Sequence, residues 1–149
     1  MKPLLILGFF CIFLVAADKP YDVKQTRENL QGTWQMREQY QGDTDMSEDA
    51  KHCQLIIDGD KFTVKQNQNT IIEGTFQIIP DKSPPQADWK VLKEEGQPDH
   101  SGKTSLGIFQ LDGDKLKLCA TEPGETKRPT DFSVKGTSFM LVVLERAKK

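Results

Sequence analysis

Two segments of the chain read almost as copies of one another: Ile57-Asp-Gly-Asp-Lys-Phe-Thr-Val64 and Leu111-Asp-Gly-Asp-Lys-Leu-Lys-Leu118. In each, Asp-Gly-Asp separates two runs in which apolar and polar residues alternate. Alternation with period two puts the apolar side chains on one face of an extended strand, and a Gly-bearing loop lets the chain double back beside itself. Antiparallel hairpins are the outcome. Trp34, Met36 and Tyr40 alternate with Thr33, Gln35, Arg37 and Gln39, and the same spacing recurs in Leu55/Ile57, Phe62/Val64, Ile72/Phe76/Ile78, Trp89/Val91 and Leu116/Leu118. Asn67-Gln68-Asn69 marks a third turn, and Phe139 to Leu144 is apolar on both faces.

The spacing predicts eight strands, over 32–40, 52–58, 61–66, 70–79, 87–93, 103–111, 114–120 and 137–146. Three polar connections separate some of them: Asp43 to Asp49, which has room for a helical turn, Pro80 to Gln86, and Thr121 to Gly136. Ahead of the first strand, the polar stretch from Asp18 to Leu30 predicts one short helix, with Asp22 as its N-cap and Gly32 as its stop. Many short strands joined by tight turns favour a meander closed on itself. The expected fold class is therefore all-β: an eight-stranded antiparallel up-and-down barrel of the calycin or lipocalin kind, with a short N-terminal helix. Eight strands enclose an interior that is either filled by side chains or holds one small ligand.

Composition bears on that choice and on the address of the protein. Of the first 17 residues 14 are apolar, against 40 of the remaining 132. Lys2, the apolar run Leu4 to Val15, and Val15-Ala16-Ala17 before polar Asp18 have the anatomy of a secretory signal peptide cut after Ala17. The run covers about 18 Å as a helix, short of a membrane core of about 30 Å. Bulky Gly8-Phe9-Phe10 before Cys11 speaks against a lipoprotein anchor. The expected organisation is a signal peptide over 1–17, a helical lead-in over 18–31 and one barrel domain over 32–149, acting outside the cytoplasm (periplasmic or secreted). No stable membrane span remains after cleavage. Placing two or three apolar side chains inward per strand consumes most of the 40, which points to a filled or narrow interior.

Other classes of partner and chemistry are poorly supported. Lys and Arg number 20 against 22 Asp and Glu, a balance without the basic footprint of a nucleic-acid or anionic-lipid binder. His100-Ser-Gly-Lys-Thr104 ends like a phosphate loop, but Gln97 stands where the first glycine belongs and a strand follows where a helix is needed. There is no Gly-x-Ser-x-Gly elbow, and the two histidines, His52 and His100, have no partner that spacing nominates. Asp58/Asp60 and Asp112/Asp114 read as turn residues, and Glu94/Glu95 as a solvated loop. No metal, no cofactor and no enzymatic activity are expected. Cys53 and Cys119 survive cleavage, with Cys53 on the inward parity of its strand and Cys119 on the outward one, which argues against a disulfide between them.

Gly32-Thr33-Trp34 opens the first strand and Arg146 ends the last. First and last strands are neighbours in a closed meander, so the guanidinium can cover the indole by cation–π contact and close one barrel end. The glycine allows close backbone approach there. Glu38 shares the inward parity of Trp34 and Met36, and an inward carboxylate must find an arginine or a wet mouth.

Six blocks occur in order: Leu30-Gln-Gly-Thr-Trp-Gln35, Gly59-Asp-Lys-Phe-Thr-Val64, Glu73-Gly-Thr-Phe76, Gly102-Lys-Thr-Ser-Leu-Gly-Ile-Phe109, Leu111-Asp-Gly-Asp-Lys-Leu-Lys-Leu-Cys119 and Arg128-Pro-Thr-Asp-Phe132. Together they resemble an uncharacterised family of small secreted domains abundant in planctomycete bacteria. The resemblance implies an extracytoplasmic, calycin-like β domain, and it transfers no activity, substrate or cofactor. Cys53 and Trp89 depart from its simpler aliphatic pattern. The last block has two readings. Arg128, Asp131 and Phe132 are rim residues meeting an anionic or polar ligand, or Pro129 stiffens the loop while Phe132 folds onto the barrel and Arg128 pairs with a carboxylate. The leading expectation for function is a binding module for a small apolar ligand or a protein partner. The alternative is a structural or inhibitor-like envelope domain with a filled core, acting through loops 41–51, 80–86 and 121–136.

Overall fold

The computed structural model describes residues 22–149, and the expected signal peptide over 1–17, with Cys11, lies outside the described residues. Helix α1 (Val23–Leu30) starts at Asp22, whose carboxylate accepts from the backbone N–H of Lys24 and Gln25 at 2.9 and 3.2 Å. That is the capping chemistry expected of an Asp at this place. The strands follow as β1 (Gly32–Gln41), a short β2 (Thr44–Asp45), β3 (Cys53–Asp58), β4 (Lys61–Gln66), β5 (Asn69–Ile79), β6 (Gln86–Glu94), β7 (Thr104–Asp112), β8 (Lys115–Ala120) and β9 (Met140–Arg146). The acidic stretch after β1 holds both β2 and a helical turn, α2 (Ser47–Ala50).

Every neighbouring pair is antiparallel, and β1 pairs with β3 on one side and β9 on the other. Eight strands thus close an up-and-down barrel, and β2 adds a ninth against the end of β1. The two Asp-Gly-Asp turns form as two-residue loops, with Asp58 opposite Lys61 and Asp112 opposite Lys115. Asn67 and Gln68 both take positive φ, 48° and 71°, the pattern of a type I′ hairpin.

Two hydrophobic clusters hold the barrel. The larger fills its interior from the α1 end, with Leu30, Trp34, Leu116 and Leu144 almost wholly buried. The smaller lies on the outer wall, where Ile108 and Cys119 are covered by Val134, Phe132 and Phe139 from the long connection after β8. Sequence alternation puts Cys119 outward, and so it is, with Ile108 beside it as its partner across β7 and β8. The loop, not the barrel, buries them.

Local bulges set which side chains point inward near the end opposite α1. In β1 the pairing with β9 slips between Met36 and Glu38, so Met36 faces Leu144 while Glu38 faces Val143 and Gln39 faces Val142. A bulge adds one residue and inverts the parity beyond it. Glu38 therefore departs from its expected inward place: it is exposed and accepts from the Tyr40 hydroxyl at 3.1 Å. Gln39 and Gln41 turn in instead. The same event between Val91 and Lys93 of β6 turns Glu94 inward beside Ile72, and a slip in β5 brings Ile71 in next to Ile72.

A candidate ligand-binding cavity

The barrel is plugged at one end and hollow at the other. At the plugged end Trp34 is completely buried, and its indole N–H donates to the Leu30 carbonyl at 2.8 Å. The Arg146 guanidinium lies 4.2 Å from the indole centroid. It also donates to the carbonyls of Gln31 and Asn29, both at 2.8 Å, and to the Asp114 carboxylate at 3.1 Å. Gly32 has φ +111°, and a Cβ there would stand 3.5 Å from the guanidinium. Helix, first strand, last strand and the β7–β8 turn are thereby tied together. A second hollow of about 400 Å³ beside this closure is lined by Thr26, Asn29, Asp114 and Arg146 among others, of which Asn29, Asp114 and Arg146 are already engaged in it.

At the other end a cavity of about 500 Å³ opens to solvent. Water occupies about 30 Å³, so this is far more than a packing defect. Trp89 forms part of its wall, with Phe62 edge-on to it at 5.3 Å and Phe76 stacked against it at 4.9 Å. Leu55, Val64, Val91, Leu118 and Val142 continue an apolar lining. The space exists because the wall residues on one side are small: Ser105 and Ala120 line it, with Gly107 between β6 and β8. It exists also because apolar residues are spent elsewhere. Ile108, Leu141, Phe132, Val134 and Phe139 serve the outer cluster, so the filled or narrow interior expected from composition is found only in the α1 half.

The mouth is polar. Glu94 and His100, from the end of β6 and the 3₁₀ turn Pro98–His100, meet at 2.6 Å, each side chain about a fifth exposed (21% and 22%). Gln39, Gln41, Gln97 and Glu122 join them, with Met46 half-exposed on the rim. Sequence reasoning placed Glu94 in a solvated loop and left His100 without a partner. Six residues of separation across a turn carry no motif, and only the β6 bulge aims the carboxylate at the cavity. His52 is exposed, and no three His, Cys, Asp or Glu side chains gather as a metal site among the described residues.

Two other polar groups at the cavity wall are already committed. The Ser105 hydroxyl donates to the Thr121 carbonyl, and Thr121 Oγ1 accepts from the Leu106 N–H at 2.9 Å. Burial, and secondarily the Asp49 charge, pushes the Cys53 thiol up from its ordinary value.

The Arg128 block stands away from the mouth. Arg128 crosses the outer wall, donating to Asp88 at 2.6 Å and to the Gly107 carbonyl at 2.9 Å. Asp131 accepts from the Ser133 N–H at 2.8 Å, and Phe132 packs on the outer cluster under Lys117, 5.5 Å away. None of the three lines the cavity, and Arg128 paired with a carboxylate while Phe132 folds onto the barrel is the second of the two readings of this block. The loop folds back on the barrel because Ile108 and Cys119 need cover.

Comparison with protein-family models gives no match, and comparison with curated proteins gives none either.

Proposed function

We propose that this chain is a non-catalytic binding module that holds one small apolar ligand inside its barrel. The observation that carries the reading is the open cavity of about 500 Å³ with apolar walls and a polar mouth. A small domain gains stability by burying apolar surface and loses packing contacts wherever it leaves a void. An apolar cup that faces water is therefore costly unless something fills it. Its size and lining are those of small-molecule sites. The commitments of Ser105 and Cys53 support binding rather than chemistry, since the hydroxyl proton is engaged and the thiol is held protonated. Export and membership of the secreted planctomycete family, on the strength of the N-terminal pattern and the six sequence blocks, belong to the same proposal.

Trp89 supplies the test, because it lines the cavity while Trp34 is sealed at the other end. Titration with 1-octanol should change tryptophan emission saturably, with one ligand per chain. Ala120→Phe, which fills the cavity from β8, should weaken that binding about tenfold or more, with the barrel's circular dichroism retained. No saturable response to octanol, or an equal response in a folded A120F protein, overturns the reading.

A further inference from the structure

We infer that the cavity selects a ligand with a cationic head, an apolar primary amine whose ammonium is received by Glu94; this rests on reading the cavity as the ligand site. Gln41 donates its amide nitrogen to the Ser138 carbonyl at 2.7 Å, and Gln39 donates its own to the Met140 sulfur at 3.3 Å. Both amides thus keep their oxygens as acceptors. Glu94 spends one oxygen, Oε2, on His100 Nδ1, and no hydrogen bond among the described residues engages Oε1. Glu122 adds a second carboxylate.

Against these acceptors there is no fixed positive charge. No lysine or arginine is among the described residues that line the cavity, although the chain carries 20 of them. An alkyl carboxylate entering head-out would meet two like charges and no cation, and like-charge juxtaposition disfavours a wrong partner strongly. An alcohol offers one donor. An ammonium offers three, and its bonds to a carboxylate are the strong, charge-assisted kind. Because Glu94 and His100 are each about one-fifth exposed, such a pair would be partly shielded from solvent screening. The aromatic wall at Trp89 and Phe62 receives the apolar body in the same pose.

The test compares three probes of equal chain length, 1-octylamine, 1-octanol and octanoate, by Trp89 emission at about pH 8, where an alkylamine is charged. The amine should bind about tenfold tighter than the alcohol, and octanoate at least about tenfold weaker than the alcohol. Glu94→Gln should collapse the amine-to-alcohol ratio toward one. Glu38→Gln, which removes an equal charge from the outward face of β1, should leave that ratio unchanged. Octanoate binding as well as the amine, a ratio that survives E94Q, or a ratio lost equally in E38Q overturns the inference while leaving the cavity a ligand site. Failure of all three probes overturns the proposed function itself.

Discussion

The Arg146 guanidinium stacks on Trp34 and donates to two carbonyls at the end of α1. Those carbonyls belong to the helix terminus, where backbone acceptors have no intrahelical partner, so one side chain satisfies a helix end and covers an indole together. Arg146→Ala should cost about 2–3 kcal/mol in urea denaturation, from the lost cation–π contact and charged hydrogen bonds. Arg146→Lys should recover less than half, since a point charge can stack but cannot reach both carbonyls as the planar fork does. Full recovery by lysine would mean that charge alone matters.

Cys119 shows how a residue's surroundings set a pH limit. Burial, and then the Asp131 charge, pushes its thiol from 9.0 up to about 11. The folded thiol binds its proton more tightly than the unfolded one, so its contribution to stability is complete below about pH 9 and is lost as pH rises toward 11. The loss is on the order of 2 kcal/mol. Unfolding free energies at pH 8 and pH 11 should differ by about that much more in the wild type than in Cys119→Ala. Tyr40, raised chiefly by its hydrogen bond to Glu38, titrates in both proteins and cancels. Equal pH dependence in the two would show that the outer cluster does not seal the thiol.

At the scale of elements, the strands were legible and their defects were not. Period-two alternation and the Asp-Gly-Asp turns located seven of the eight barrel strands to within a residue or so at each end, because a half-buried strand must alternate. β9 begins three residues later than expected, at Met140, since Thr137 to Phe139 belong to the turn that returns from the outer loop. The bulges in β1, β5 and β6 leave no mark in the sequence, because one extra residue changes parity without changing residue type. Their consequence is nevertheless large: Glu38 goes out, and Gln39, Gln41 and Glu94 come in.

Gly74 is where such a bulge demands its residue. A Cβ there would collide with the Lys90 carbonyl and approach Phe62 Cε1 within 2.5 Å. The Phe62 ring lies across the glycine and meets Trp89 edge-on. Gly74→Ala should therefore destabilise the protein by about 1–3 kcal/mol, the usual cost of overpacking. It should also shift Trp89 emission as Phe62 is displaced. An unaltered spectrum would mean that β5 and β6 part without moving the ring.

Taken as one body, the barrel divides into a plugged half beside α1 and a hollow half opposite it. Among the described residues Cys53 belongs to the interior cluster and Cys119 to the outer one, and both are buried and free. Expressed with its own N-terminus in a Gram-negative host, the chain should be recovered from the periplasm beginning at Asp18, with two thiols titratable under denaturing conditions. A cytosolic protein that retains Met1 would overturn the export proposal.

The strand order, the hairpins and the Asp22 cap were legible in the chain, because these depend on neighbours a few residues apart. So were Trp34 and Arg146, since a closed meander must bring its first and last strands together. The pairing of Arg128 with Asp88, the cover of Ile108 and Cys119 by the loop after β8, and the meeting of Glu94 with His100 over an open cavity emerge only once the sheet closes. Those outcomes rest on volume and parity summed around a closed sheet. An apolar residue counts the same in the sequence whether it fills the barrel or covers its outer wall, and only closure of the sheet assigns it to one side.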